Sequence, residues 1–553
     1  YTLWHTLSLH DALPIYIRKK TYKSYICTAS TTATVLNKTF AILLLFVAGL
    51  NNTASSQKIR LFLPQYETHF INDSLLLNSI QPASISLSGY EDLLKKSIST
   101  KTKNSFFNRH LVSFENNHFR LIANPVITSE YKITNENGNI LTDTGLGLHT
   151  IVTAGKKITM QALYTFNFTR FPDYISSKID TLPYIPHHGS YSVNNQTYRW
   201  NNAKANILFN PFEFLDVQAG FGLNRFGNGY RSLFLSGNAH SYPYLRADVS
   251  AWKIHYSYLI GWLNDIHEFT PPFERKNKYA AFHYLRWDIN SRFQVNLFET
   301  VVWAPDDSTV QRGFDINYLN PVVFFRPVEF STGSPDNVLL GIGMRLRLFD
   351  ETFIYGQFAL DEFNLELVRQ RNGWWGVKYG YQVGLMFTDF FRIPGLFTRF
   401  EANTVRPFTY SHAFTAKSYG HYAQPLAHPL GSNFLEFLNQ SSFQKNRWKI
   451  HNRFFFQRFG KQQNNQNFGN NIYKSNNNRA KDFNNKLFQP RAVSLVLNDF
   501  TVSYILQPLW QLELTGGVFS SFQPSSGTSP FIYLHVGFRT SLSRRDFWDS
   551  RYQ

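Results

Sequence analysis

The stretch NPVVFFRPVEFSTGSPDNVLLG, residues 320–341, gathers Arg326, Glu329, Asp336 and Asn337 among Pro321, Pro327 and Pro335. A guanidinium presents a planar fork of donors that meets a carboxylate through two bonds at once. Arg326 therefore either grips the carboxylates of acidic sugars or pairs with Glu329 and folds its own loop. Arg345, Arg347, Lys378, Arg399 and Lys253 recur where an extended chain would turn them to one side, and Glu401 and Asp216 offset them in part. Such a surface guides anions if it lines an open passage, and is neutralised by salt bridges if it is packed. His412, His421 and His428 bracket a loop rich in Tyr and Pro, but no Cys or acidic cluster joins them, so neither a metal site nor a cofactor is expected. GFGLNRFGNG lacks the Lys-Ser/Thr of a phosphate-binding loop. No serine, histidine and acid stand out as a nucleophilic triad, so no catalytic residue is assigned and the chain is read as a non-enzyme.

The elements that must position these residues are strands. In KITMQALYTFNFTRF, 157–171, Ile158, Met160, Ala162, Tyr164, Phe166 and Phe168 alternate with Thr159, Gln161, Thr165, Asn167 and Thr169; Leu163 alone breaks the pattern. WKIHYSYLIGW, NVLLGIGMRLRLF and WGVKYGYQVGLMF alternate in the same way. Period two sends successive side chains to opposite faces of a strand. Runs of about ten to thirteen residues match a tilted strand crossing a bilayer. Short turns (AGKK at 154–157, NPFE at 210–213, FDET at 349–352, PLWQ at 508–511) alternate with long polar or aromatic connections. That is the asymmetry of an outer-membrane barrel, with short turns on the periplasmic side. The reading is all-β: a transmembrane antiparallel β-barrel of about 18 strands, from near Phe119 to FIYLHVGFRTSL, with both termini in the periplasm. Residues 57–117 alternate poorly, and GYEDLLKKSI, 89–98, reads as a short helix, so a small periplasmic or plug-like segment is expected to precede a barrel spanning 118–553. The Asn-rich stretch 462–487 reads as a disordered outer loop.

Net charge is +18 and the aromatic share 17%, with an isoelectric point near 9.6 and a mean hydropathy of −0.29. A basic exported chain favours anionic polysaccharide, lipopolysaccharide phosphate or a membrane surface, and disfavours nucleic acid. Export is read from Lys38, the apolar run Phe40 to Leu50 and the small residues Thr53, Ala54, Ser55 and Ser56. That order is a signal peptide over 35–56, cleaved before Gln57, and its apolar run is too short to span a membrane. Residues 1–34 are expected to be non-native: TLSLHDALPI resembles translated sequencing adapter, and the first Met is Met160. The single cysteine, Cys27, lies in that leader.

Five blocks carry a family resemblance: FGNGYRSLFLSGNAHSYPYLR (226–246), NPVVFFRPVEFSTGSPDNVLLG (320–341), FEANTVRPFTYSH (400–412), HYAQPLAHPLGSNFLEF (421–437) and GFRTSLSRRDF (537–547). In this order they resemble the Wzi-like capsule-assembly family of outer-membrane proteins, and within it the gliding-motility RemB-like proteins. The resemblance implies a barrel in the outer membrane of a Gram-negative bacterium, embedded in lipid and lipopolysaccharide. Its implied role is to bind or organise surface or capsular polysaccharide, with motility or secretion components as further partners. Within these blocks Arg231 and His428 join Arg326, Glu329, Asp336 and Asn337 as candidate glycan contacts. Two readings of other classes stand beside it: a passive porin or export channel with a basic lumen formed by Arg345, Arg347, Lys378, Arg399 and Lys253, and a lipid or glycan hydrolase.

Overall fold

A strand that alternates apolar and polar side chains can face lipid on one side only if its backbone polar groups are all paired along both edges. The computed structural model describes residues 58–60, 79–81, 84–86, 89, 91, 92, 94, 109–135, 140–180, 184–266, 275–305, 313–321, 336–362, 365–463, 466–524 and 529–542. Among these, eighteen antiparallel strands close into one barrel. In chain order they are β1 Phe119–Thr134, β2 Ile140–Ala154, β3 Ile158–Thr169, β4 Thr197–Phe212, β5 Leu215–Gly222, β6 Tyr242–Ala251, β7 Ile254–Ile266, β8 Arg275–Asp288 and β9 Phe293–Trp303. There follow β10 Asn337–Phe349, β11 Thr352–Glu362, β12 Lys378–Phe387, β13 Leu396–Val405, β14 Phe434–Lys445, β15 Trp448–Lys461, β16 Arg491–Gln507, β17 Leu512–Phe522 and β18 Phe531–Thr540. Closure is between β18 and β1, with Tyr533 opposite Thr134 and Arg539 opposite Thr128. The expected first and last strands are the observed ones.

The alternation sets the faces. On β3, Met160, Tyr164, Phe166 and Phe168 are exposed outward, while Thr159, Gln161, Thr165, Asn167 and Thr169 are buried inward. Leu163, which broke the pattern, packs inside against Val126 and Leu542. Turns of a few residues join β2–β3, β4–β5, β6–β7, β8–β9, β10–β11, β14–β15 and β16–β17 at one end, and longer connections join the strands at the other. Two of these connections turn inward. The largest apolar cluster therefore lies inside the barrel: Phe226, Leu233 and Phe234 from the β5–β6 connection and Tyr410, Tyr419 and Leu426 from the β13–β14 connection pack on Leu259, Phe282, Phe298 and Leu339 of the wall.

The N-terminal pieces belong to the short-turn end. Lys58 donates to Asp216 at 2.8 Å, residues 58–60 pair with 84–86, and residues 80–81 pair with Arg225 and Phe226. Residues 89, 91, 92 and 94 are helical. The expected signal peptide and leader lie outside the described residues.

One segment leaves the lumen side altogether. Asp315–Pro321 lies on the outer wall: Tyr318 is buried against Trp303, Val301 and Ile260, its carbonyl accepts from Tyr258 Oη at 2.6 Å, and the Pro321 carbonyl accepts from Tyr256 Oη at 2.5 Å. Beneath it lie His283 and Glu299, 3.8 Å apart and both buried. An ionisable pair on a lipid-facing wall is costly, and the segment covers it while turning Ile316 and Leu319 outward. Trp303 is fully buried by this cover.

Candidate functional site

The segment 223–241, between β5 and β6, is held across the lumen by wall side chains. Glu401 of β13 accepts from the backbone N–H of Tyr230 at 2.6 Å and of Arg231 at 3.2 Å, from Tyr355 Oη at 2.6 Å and from Asn403 Nδ2 at 2.9 Å. Gln357 Oε1 accepts from Leu233 N at 2.9 Å, and Gln382 Nε2 donates to the Arg231 carbonyl and to Asn403 Oδ1. Gly227 sits at φ +121°, and a Cβ there would meet the Gln357 side chain and Ser232 Oγ. Only glycine takes that conformation and that contact together.

The tip of the segment is locked by charge. Arg231 Nε is 3.2 Å from Glu436 Oε1, His428 Nε2 is 2.8 Å from the same oxygen, and Gln457 Nε2 donates to Glu436 Oε2 at 2.8 Å. Glu436 is fully buried. From the other side, Tyr410 Oη donates to the Leu233 carbonyl at 2.9 Å and Tyr419 Oη to the Phe234 carbonyl at 2.7 Å. Burial holds His428 and His421 below the ordinary histidine range; with Lys378 and Lys417 nearby it takes His412 down to about 4.

The outward surface at the long-loop end is built from residues 371–375, 412–417 and 474–487. The Asn-rich stretch, expected as a disordered loop, is ordered from 466 onward, because asparagine both donates and accepts and so caps irregular backbone. Asn467 Nδ2 donates to the Ser475 carbonyl at 2.8 Å, Asn471 Oδ1 accepts from Tyr473 N at 2.8 Å, and Asn485 Nδ2 donates to the Gly373 carbonyl at 3.3 Å. Asn476 N reaches the His412 carbonyl at 3.4 Å and Trp375 N the Asp482 carbonyl at 2.9 Å, which knits the three loops. Arg479 lies 4.4 Å over the Trp375 ring. Phe414, Phe483 and Leu487 are exposed, as are Arg371, Asn477, Asn478, Asn484 and Lys486.

The residues singled out from sequence fall into separate places. Arg326 and Glu329 lie outside the described residues. Asp336 and Asn337 stand at the top of β10 and tie elements together: Asp336 accepts from Tyr318 Oη at 2.6 Å and lies 3.3 Å from Lys417 Nζ, and Asn337 Nδ2 donates to the Lys417 carbonyl at 2.8 Å. Arg231 and His428 share Glu436 and serve the lumen lock rather than the outer surface. Arg345, Arg347, Lys378 and Arg399 face the lumen. Lys378 pairs with Glu362 at 2.9 Å, and Arg347 reaches Asp350 at the short-turn rim. Lys253 does not face the lumen: it sits in the β6–β7 turn, and its ammonium donates to the Ile289 carbonyl at 2.9 Å across two short turns. The tight turn takes it out of the strand alternation that placed it inside. His412, His421 and His428 do not converge, and among the described residues no group of three or more His, Cys, Asp or Glu is placed to hold a metal. Sequence reasoning passed over Glu436, although a lone acid between Leu435 and Phe437 marks an inward position on β14.

No family model matches the sequence, and no curated protein sequence does. Among solved structures, the chain is similar to Wzi of Escherichia coli, described as an outer-membrane protein involved in group 1 capsule assembly and a carbohydrate-binding β-barrel. The TM-score is 0.50 and the identity 11%, over 87% of this chain and 99% of that one. OccAB2 of Acinetobacter baumannii gives a TM-score of 0.41 at 9% identity, over 77% and 98% of the two chains. OccK5 (OpdH) of Pseudomonas aeruginosa gives 0.41 at 7%, over 75% and 97%. The chain thus has the fold of an outer-membrane β-barrel.

Proposed function

We propose that this barrel is a non-enzymatic anchor that binds and organises surface polysaccharide through its outer loops. The observation that carries the reading is the inward folding of 223–241. The wall's Gln357, Gln382, Glu401 and Glu436 hold that segment across the lumen, which leaves the outer loops as the surface open to a long polymer. There, exposed Phe414 and Phe483 offer flat apolar faces, Asn477, Asn478 and Asn484 offer paired donors and acceptors, and Arg371, Lys481 and Lys486 supply positive charge. An acidic polysaccharide has complementary features: sugar faces, hydroxyls and carboxylates. The Wzi barrel, whose fold this chain shares, is described as binding carbohydrate. The likeness to RemB-like proteins in the sequence blocks extends the reading to gliding. A deletion strain scored for both capsule retention and surface spreading separates the two roles.

The test is binding of purified barrel, in detergent, to acidic and neutral polysaccharides. The triple variant Phe483→Ser, Lys481→Glu, Lys486→Glu is expected to weaken acidic-polysaccharide binding at least tenfold while leaving the barrel folded. Absence of wild-type binding to any acidic polysaccharide would remove the proposal. The second reading, a passive channel, is favoured by the inward-facing Arg345, Arg347 and Arg399. Sustained ion conductance of the wild-type protein in planar bilayers would favour it.

A further inference from the structure

Most lumenal cations near the short-turn end have a carboxylate partner. Arg286 pairs with Asp288, Arg453 with Asp499, Lys449 with Glu513, Arg120 with Glu91 and Lys58 with Asp216. Among the described residues, the guanidiniums of Arg399 and Arg225 have none. Arg399, the fourth residue of β13, is completely buried; its Nη2 meets only Met386 Sδ at 3.3 Å, and Nε and Nη1 meet no hydrogen-bond acceptor. Its guanidinium lies 5.4 Å over the Phe397 ring and 5.9 Å from that of Tyr355. Arg225, at the root of the segment that crosses the lumen, is buried as well, and its Nε and Nη2 have no acceptor. The two charges are close enough to repel each other. Glu401, the acid that attracts Arg225, already accepts four hydrogen bonds, two from the crossing segment and two from the wall. Tyr284 completes the surroundings, stacked on Phe226 with ring centroids 4.9 Å apart.

Two like charges buried without a counter-ion disfavour the arrangement they sit in. A guanidinium fork is shaped for a planar or tetrahedral oxyanion. The aromatic surroundings keep the local dielectric low and strengthen any such contact. We propose that Arg225 and Arg399 form an oxyanion-binding site in the short-turn half of the lumen, for a carboxylate or phosphate group. The site is distinct from the outer-loop surface. It sits where the wall, the crossing segment and residues 79–81 meet, so a bound anion would bridge β13 to the root of that segment and hold the lumen closed. Both arginines are enclosed in this conformation, so an entering anion must first displace the pair formed by 80–81 and 225–226.

Purified barrel in detergent, incubated overnight with glucuronate, inorganic phosphate or glucose, is followed by thermal unfolding and by heat-modifiable gel mobility, which reports barrel closure. Wild-type protein is expected to unfold at a higher temperature with glucuronate, phosphate or both, and not with glucose. A response to glucuronate alone assigns the site to an acidic sugar, and a response to phosphate alone to a phosphorylated glycan or lipid headgroup; either supports the site. Arg399→Met and Arg225→Met relieve the repulsion. Without anion they are expected to unfold no earlier than wild type, and with anion to show at least tenfold weaker apparent affinity. Arg347→Met, at the rim beside Asp350, serves as the control and keeps the full response. No response of wild type to either anion, or an undiminished response in Arg399→Met, overturns the site. Polysaccharide binding by the outer loops is measured on the same samples, so the loss of one activity is read independently of the other.

Discussion

Glu436 shows how much one carboxylate can decide. It is buried between Arg231 and His428, and it holds the tip of a segment whose own backbone N–H groups are taken by Glu401. Removing one member of a buried pair leaves the other charge without compensation, at a cost of about 3–5 kcal/mol. Glu436→Leu is therefore expected to unseat segment 223–241 and raise the conductance of the barrel. Single-channel recording checks this: conductance rising above the wild-type level is the expected outcome, and an unchanged trace would show that the segment is held without the lock. Sequence made Arg231 and His428 visible as polar residues in unusual blocks. It could not say that both meet one acid, because the three residues come from two connections and a strand that are brought together only by closure of the barrel.

At the level of elements, the β13–β14 connection carries its own sensitivity to acid. Burial holds His421 and His428 below the usual histidine range, and burial together with Lys378 and Lys417 takes His412 to about 4. A histidine with a lowered folded value is neutral in the folded protein and favours protonation when released. Its contribution to stability is present above about 6.5, the unfolded value, and is lost as pH falls below it. Residues 406–433 are therefore expected to open between pH 6.5 and about 4 while the strands stay closed. Hydrogen exchange corrected for intrinsic pH dependence reads this directly: rising exchange confined to 406–433 is the expected pattern, and exchange that is flat over that window would contradict it. The Asn-rich connection teaches a complementary point. Its composition lacks apolar residues and so reads as disordered, yet its asparagines find backbone partners within the connection and in a neighbouring loop, a form of stabilisation that composition does not encode.

Across the whole molecule, the N-terminal pieces are bound to the barrel by charge. Burial raises the Glu91 carboxyl, but hydrogen bonds and charge from His110 and Arg120 outweigh it and hold it at about 2. A carboxylate lowered in this way stabilises the docked state above its unfolded value of 4.5, and that contribution is lost as pH falls from there towards 2. Pepsin cleavage ahead of β1 is expected to accelerate over that range in wild type and to be fast throughout in Glu91→Gln; equal, pH-independent protection in both proteins would show that Glu91 does not hold the segment.

What the sequence determined by itself was the barrel: the alternation of side chains, the lengths of the strands and the unequal turns are local properties, and a lipid-facing strand has one stable solution, closure without edges. Even a departure from the alternation, Leu163, was legible as a place to look. Only the tertiary structure decided what fills the barrel and what covers it. The inward faces of β11–β14 are polar whether they line a channel or grip a segment, and the outward faces of β8 and β9 carry His283 and Glu299 whether or not Tyr318 lies over them. Those alternatives differ in contacts between residues far apart in the chain, and a local pattern carries no information about such partners.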